Sequence, residues 1–171
     1  MDGTGAPKAP IGQRASIQVQ IAGRGGVPAT GVTAVVMNVT AMNATSPTFV
    51  TIWPGTAPRP SVSNLNPVPG SVIPNQATVT LSYDGKVTAY NHNGTVNLVF
   101  DVVGFYADDG GPAGSRFHAI EPFRLFDTRD GTGGVPTNPI GAAETLSYDL
   151  DGAGGILPAD GTTGVVLNVT F

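Results

Sequence analysis

The chain carries one ordered set of landmarks twice. DGTG stands at 2–5 and again at 130–133, and PIG stands at 10–12 and 139–141. The glycine pairs Gly23/Gly152 and Gly26/Gly155 follow, then Pro28/Pro158, and the copies close on VVMNVT (35–40) and VVLNVT (165–170). The offset drifts from 128 residues at Asp2/Asp130 to 130 at Pro28/Pro158. A spacing this long is that of a whole domain and not of a solenoid repeat. The 171 residues therefore read as a nearly complete unit at 1–106, a Gly/Pro/acidic linker at 107–122, and the first part of a second unit at 123–171.

The unit reads as all-β. Gly (24) and Pro (15) are in excess and punctuate turns, while Val, Ile and Thr suit pleated strands. Strands are expected at Ser16–Ile21, Val32–Thr40, Thr48–Trp53, Ala77–Ser82, Lys86–Asn91 and Val96–Tyr106, with Val32–Thr40 apolar enough to be central. Tyr83-Asp84-Gly85 reads as a hairpin turn between Ala77–Ser82 and Lys86–Asn91. In the second copy, strands are expected at Phe123–Thr128, Thr145–Leu150 and Val165–Phe171. Many short strands with regular turn signals point to an antiparallel β-sandwich of jelly-roll or immunoglobulin-like type, with a closed β-barrel as the alternative.

Charge and composition remove several function classes. Only 12% of residues are charged and the net charge is −4, with eight Lys and Arg scattered along the chain. Nucleic-acid binding through phosphates needs a basic stripe, which is missing. Val96–Phe105 is the longest apolar stretch and is too short to insert in a membrane. No cysteine is present, so thiolate metal sites, cysteine nucleophiles and disulfides do not arise. If the chain is secreted, its export signal is expected upstream of Met1.

RLFDTRDGTGG (124–134), AGRGGVPATGVTAVVMNVTA (22–41), PRPSVSNLN (58–66) and NLVFDVVGFYA (97–107) together resemble the tandem β-repeat of secreted and cell-surface proteins of actinobacteria and related bacteria. The resemblance implies an extracellular β module without catalytic residues or cofactors. In that unit RLFDTR precedes DGTG. Here the first copy begins at DGTG, and the second stops at Phe171, before counterparts of TIWPG, SNLN or the 97–106 strand. A partial sandwich exposes its inner face and a row of unpaired strand groups. Residues 124–171 are accordingly expected to pack on the first unit or on a neighbouring molecule, with RLFDTR supplying a missing strand. The partner expected on this reading is another copy, in a homo-oligomer or filament built by strand complementation.

Few side chains suggest chemistry. Trp53, Tyr90 and Tyr106 are the candidate ligand-binding residues, as a stacking platform for a polysaccharide; core packing is the competing reading. Asp127, Arg129 and Asp130 are read as a structural ion pair or turn, since acids at strand ends usually bind local N–H groups. Asp149-Leu150-Asp151-Gly152 begins like a calcium loop but lacks the later ligands, so a turn is preferred. His92 and His118 have no metal-ligand spacing. Asp101 lies in an apolar strand, where burial against Arg59 or Arg24 is expected. GRGG (23–26) reads as a tight turn, lacking the Lys-Ser/Thr of a phosphate loop. Glu121 and Glu144, the only glutamates, flank turns and do not suggest a hydrolytic pair.

Overall fold

The computed structural model describes residues 6–107, 123–158, 161–167 and 169. The chain divides into two compact units, Met1–Ala113 and Gly114–Phe171. Asp108, Asp109, His118, Glu121 and Asn168 lie outside the described residues.

The first unit contains β1 (Ala15–Gln20), β2 (Val32–Met42), β3 (Val50–Pro54), β4 (Ile73–Thr80), β5 (Lys86–Asn91) and β6 (Asn97–Ala107). Two three-stranded antiparallel sheets form, ordered β1-β5-β3 and β4-β2-β6. The architecture is an open β-sandwich, and the closed barrel held as the alternative is not formed. All five connections from β1 to β6 pass from one sheet to the other.

That pattern corrects the expected hairpin. Ser82 and Lys86 do make a tight turn, with the Ser82 N–H donating to the Lys86 carbonyl (3.0 Å) and Gly85 N–H to Ser82 (2.8 Å). Yet β4 pairs with β2 and β5 with β1 and β3, so the turn is a corner between sheets. Turn chemistry is local, whereas each strand takes the partner that buries its apolar face.

β2 is central, as its composition requires. Val35, Met37, Val39 and Ala41 alternate inward and are fully buried. They meet Ala77 and Val79 of β4, Leu98 of β6, and Val19, Val50, Ile52, Val87 and Ala89 of the facing sheet. Ile11 and Val96 close one end of the core through a bridge. Asn91, at the end of β5, is the buried polar pin there. Its Nδ2 donates to the carbonyls of Ile11 (3.1 Å), Gly12 (3.2 Å) and Gly94 (2.9 Å), and its Oδ1 accepts from Thr48 Oγ1 (2.7 Å).

The second unit differs from expectation. None of its described residues forms a strand, so Phe123–Thr128, Thr145–Leu150 and the described part of Val165–Phe171 are not strands. Its regular features are an Asp127–Thr132 bridge and a short 3-10 turn at Ala153–Gly155. In the first unit, the matching segment β1 is held extended by its ladder to β5. Among the described residues of the second unit no segment plays that part, and a lone strand leaves its backbone groups unpaired.

One loop keeps its form in both copies. Gly23, Gly25 and Gly26 have positive φ, as do Gly152, Gly154 and Gly155. Gly23 N–H donates to the Pro28 carbonyl (3.1 Å), and Gly152 N–H to that of Pro158 (3.0 Å). Arg24 N–H reaches Ile21, and Ala153 N–H reaches Leu150, at 3.2 and 3.1 Å. The fold is set by local glycine conformation and needs no partner strand.

Candidate functional site

The outer face of the β1-β5-β3 sheet carries Thr51 and Trp53 from β3 and Thr88 and Tyr90 from β5, on the side opposite the core residues Val50, Ile52, Val87 and Ala89. These four side chains are buried, because Gly55–Ser63 folds back across the sheet as a strap. Gly55 carbonyl accepts from Thr88 Oγ1 (3.0 Å) and Gln18 Nε2 (3.1 Å). Thr51 Oγ1 donates to the Val62 carbonyl (2.7 Å), and Trp53 Nε1 to that of Ala57 (2.7 Å). Pro58 and Pro60 favour an extended strap. Gly55 is required where it crosses, since a Cβ there would stand 2.8 Å from Ser82 Oγ and 3.1 Å from Lys86 Cβ.

The stacking platform of Trp53, Tyr90 and Tyr106 is therefore not formed. Trp53 and Tyr90 are 8% and 7% exposed, beneath the strap, while Tyr106 lies on β6 in the other sheet. Trp53 packs, as an indole does when its body is buried and its N–H finds a carbonyl.

Beside the strap the sheet carries a second aromatic arrangement. Phe49 stacks on His92 with centroids 4.4 Å apart and planes at 16°. Tyr90 Oη lies 3.3 Å from His92 Nδ1. The Arg59 guanidinium sits over the Tyr90 ring, its Cζ 3.8 Å from the centroid. A cleft of about 260 Å³ opens here, lined by Phe49, Arg59, Pro60, Ser61, Val62, Ser63 and Asn66. The expectation for Asp101 is burial against Arg59 or Arg24. Instead Asp101 is exposed on β6, opposite Asn38, and neither it nor Arg59 has an ion pair among the described residues.

The second candidate is the outer edge of β6. Sheets end on strands that present unpaired N–H and C=O groups, and most edges are blunted. The β4 edge carries Pro74, which lacks a donor, beside exposed Asn75, Gln76, Thr78 and Thr80. The β3 edge is covered by the chain just after the strap, with Val50 N–H donating to the Leu65 carbonyl (2.9 Å) and Ile52 N–H to Asn64 Oδ1 (2.8 Å). β1 is short and lined by glutamines. β6 is eleven residues long and mostly apolar, with Asp101 its one charge, and no strand among the described residues pairs with its outer edge. Val103 is the extra residue of a bulge between the pairs Met37–Val102 and Val36–Gly104, and it is 65% exposed. Tyr106 is 51% exposed, and Val102 and Phe105 are also exposed although they stand opposite the core residues Met37 and Val35.

In the second unit, Asp127, Arg129 and Asp130 build a turn. The buried Asp127 carboxylate accepts from Arg129 N (2.9 Å), Nε (3.0 Å) and Nη2 (2.6 Å) and from Arg124 Nη1. The Arg129 hydrogen bonds hold the Asp127 carboxyl far below the usual carboxylate range and raise the Arg129 guanidinium in turn. The Asp130 carboxyl is lowered by the Thr132 backbone N–H, which it accepts at 2.9 Å. Asp149 likewise accepts from Asp151 N–H (3.1 Å), and Glu144 from Gly141 N–H (2.6 Å), closing local turns.

Sequence reasoning named Arg59, Tyr90 and His92 separately and missed Phe49 and Asn66. The signal available was the run of prolines and serines at 58–63 directly after a strand end, which marks a strap more than a loop. Neither a scan of family models nor a search of curated proteins matches the chain.

Proposed function

We propose that the chain is a non-catalytic structural or adhesive module of an extracellular bacterial surface protein, and that it self-associates by strand addition at β6. The observation that carries the reading is the long, mostly apolar edge of β6, uncovered by any strand among the described residues, beside three edges that are capped, short or polar. Its complement is the β2-like run of the second copy, where Val166, Leu167 and Val169 are exposed. A β6 edge on one molecule and a 165–169 segment on another are two different surfaces. Their contact is head-to-tail, which gives rings or open filaments instead of a closed dimer. Main-chain hydrogen bonds would supply the affinity and the apolar side chains the register.

Light scattering across a concentration series tests this, with mass expected to grow beyond two chains. Val103→Lys on the edge, or Val166→Lys on the run, should each leave a monomer, because an inserted edge charge opposes pairing. Mixing the two variants should give a heterodimer and nothing larger, since each retains one intact surface. A clean monomer of the unsubstituted chain at every concentration would overturn the proposal. Unchanged mass for both variants would overturn the assignment to these surfaces.

A further inference from the structure

The cleft beside the strap has the chemistry of a binding site for one acidic sugar. Its guanidinium is preset. The Tyr90 ring occupies one face of Arg59, which leaves the in-plane N–H rim free. Among the described residues that rim makes no hydrogen bond or ion pair, and no acid lines the cleft. A free guanidinium rim matches a carboxylate bidentately. Around it stand the hydroxyls of Ser61 and Ser63 and the amide of Asn66, all exposed, and each able to donate and accept. Phe49, Pro60 and Val62 supply the apolar wall, and the Phe49 ring is held by its stack on His92. The volume of about 260 Å³ lies just under the roughly 300 Å³ at which drug-sized pockets begin, so the cleft suits a small ligand.

One carboxylate partner, several hydroxyl partners and one ring face are what a sugar acid presents. We propose that this cleft binds a uronic acid residue, its carboxylate on Arg59, its hydroxyls on Ser61, Ser63 and Asn66, and its ring against Phe49. The inference uses none of the β6 edge and stands or falls apart from self-association.

The test is an NMR titration of the full chain with digalacturonate, its methyl ester and acetate. Digalacturonate should shift the backbone amides of 59–66 saturably, and the ester and acetate should bind at least about tenfold more weakly, since each lacks one of the two matched features. Arg59→Gln should lose about tenfold or more in digalacturonate affinity, and Phe49→Leu should weaken it as well. Both side chains lie outside the buried core, and unchanged amide dispersion elsewhere will show that the variants fold. The Val103→Lys chain should bind like the unsubstituted one. No saturable shift, equal binding of the ester or of acetate, or an Arg59→Gln variant that binds normally would each overturn the proposal.

Discussion

Replacing Asn91 by alanine should remove much of the stability of the first unit. The side chain is fully buried. It ties the PIG segment, the Asn93-Gly94 turn and the entry to β3 to one point at the end of the core. Its amide has two hydrogens shared among three carbonyls, so its bonds count as about three, the one from Thr48 included. At ~1 kcal/mol net for each, the loss is ~3 kcal/mol. Two of the three carbonyls keep other donors, Ile11 from Val96 N–H (3.1 Å) and Gly12 from Ala15 N–H (3.2 Å). Truncation therefore orphans chiefly the Gly94 carbonyl, adding ~1 kcal/mol and bringing the total to roughly 3–4 kcal/mol. Urea unfolding followed by fluorescence reads this directly, because the chain's one tryptophan, Trp53, is buried in the same unit. With a urea slope of roughly 1–3 kcal/mol/M, the midpoint should fall by about 1–4 M. Asn91→Asp should be worse at neutral pH, since it turns a carboxylate oxygen toward three carbonyls at a fully buried position. A loss under ~1 kcal/mol for Asn91→Ala would refute the reasoning, as it would make the pin equivalent to a single exposed hydrogen bond.

Other expectations follow from the same geometry. Gly85→Ala should cost ~2–5 kcal/mol in the same unfolding assay, because φ is +74° and the new Cβ would stand 2.3 Å from Ala22 Cβ, combining left-handed strain with overpacking. Trp53→Phe should lose about 1–2 kcal/mol, mostly the hydrogen bond to Ala57, and should raise amide exchange in the strap at 55–63. Asp127 has a folded-state pKa below its unfolded value, so its contribution to the second unit is complete above the ordinary carboxylate range. That contribution is lost as pH falls from near 3.8 through the lower folded value. A carboxyl carbon NMR titration should place its midpoint well below 3.8, and an ordinary midpoint would show the Arg129 fork to be absent in solution.

Much of this architecture was legible because period-two patterning and turn chemistry are local. The nearly continuous apolar run Val32–Thr40 marks a central strand, and β2 is central. Gly85, Asn93-Gly94 and the GRGG loop marked chain reversals, and the backbone turns at each. The DTRDG acids read as a turn, and they bind neighbouring N–H and guanidinium groups. What the residues did not reveal was which strand lies beside which. β4 and β5 look like a hairpin in sequence, yet they belong to different sheets. Trp53 reads as platform or as core, and it is the Gly55–Ser63 strap, folding back over the sheet, that buries it. Thr145–Leu150 has the pattern of β1, yet forms no strand, and among the described residues no partner ladder stands beside it. Side-chain alternation and glycine conformation are properties of a few consecutive residues, so sequence alone determines them. Strand partnership and burial depend on surfaces brought together from 20 or more residues away, as in the β1–β5 and β2–β6 ladders, and only the tertiary structure decides those.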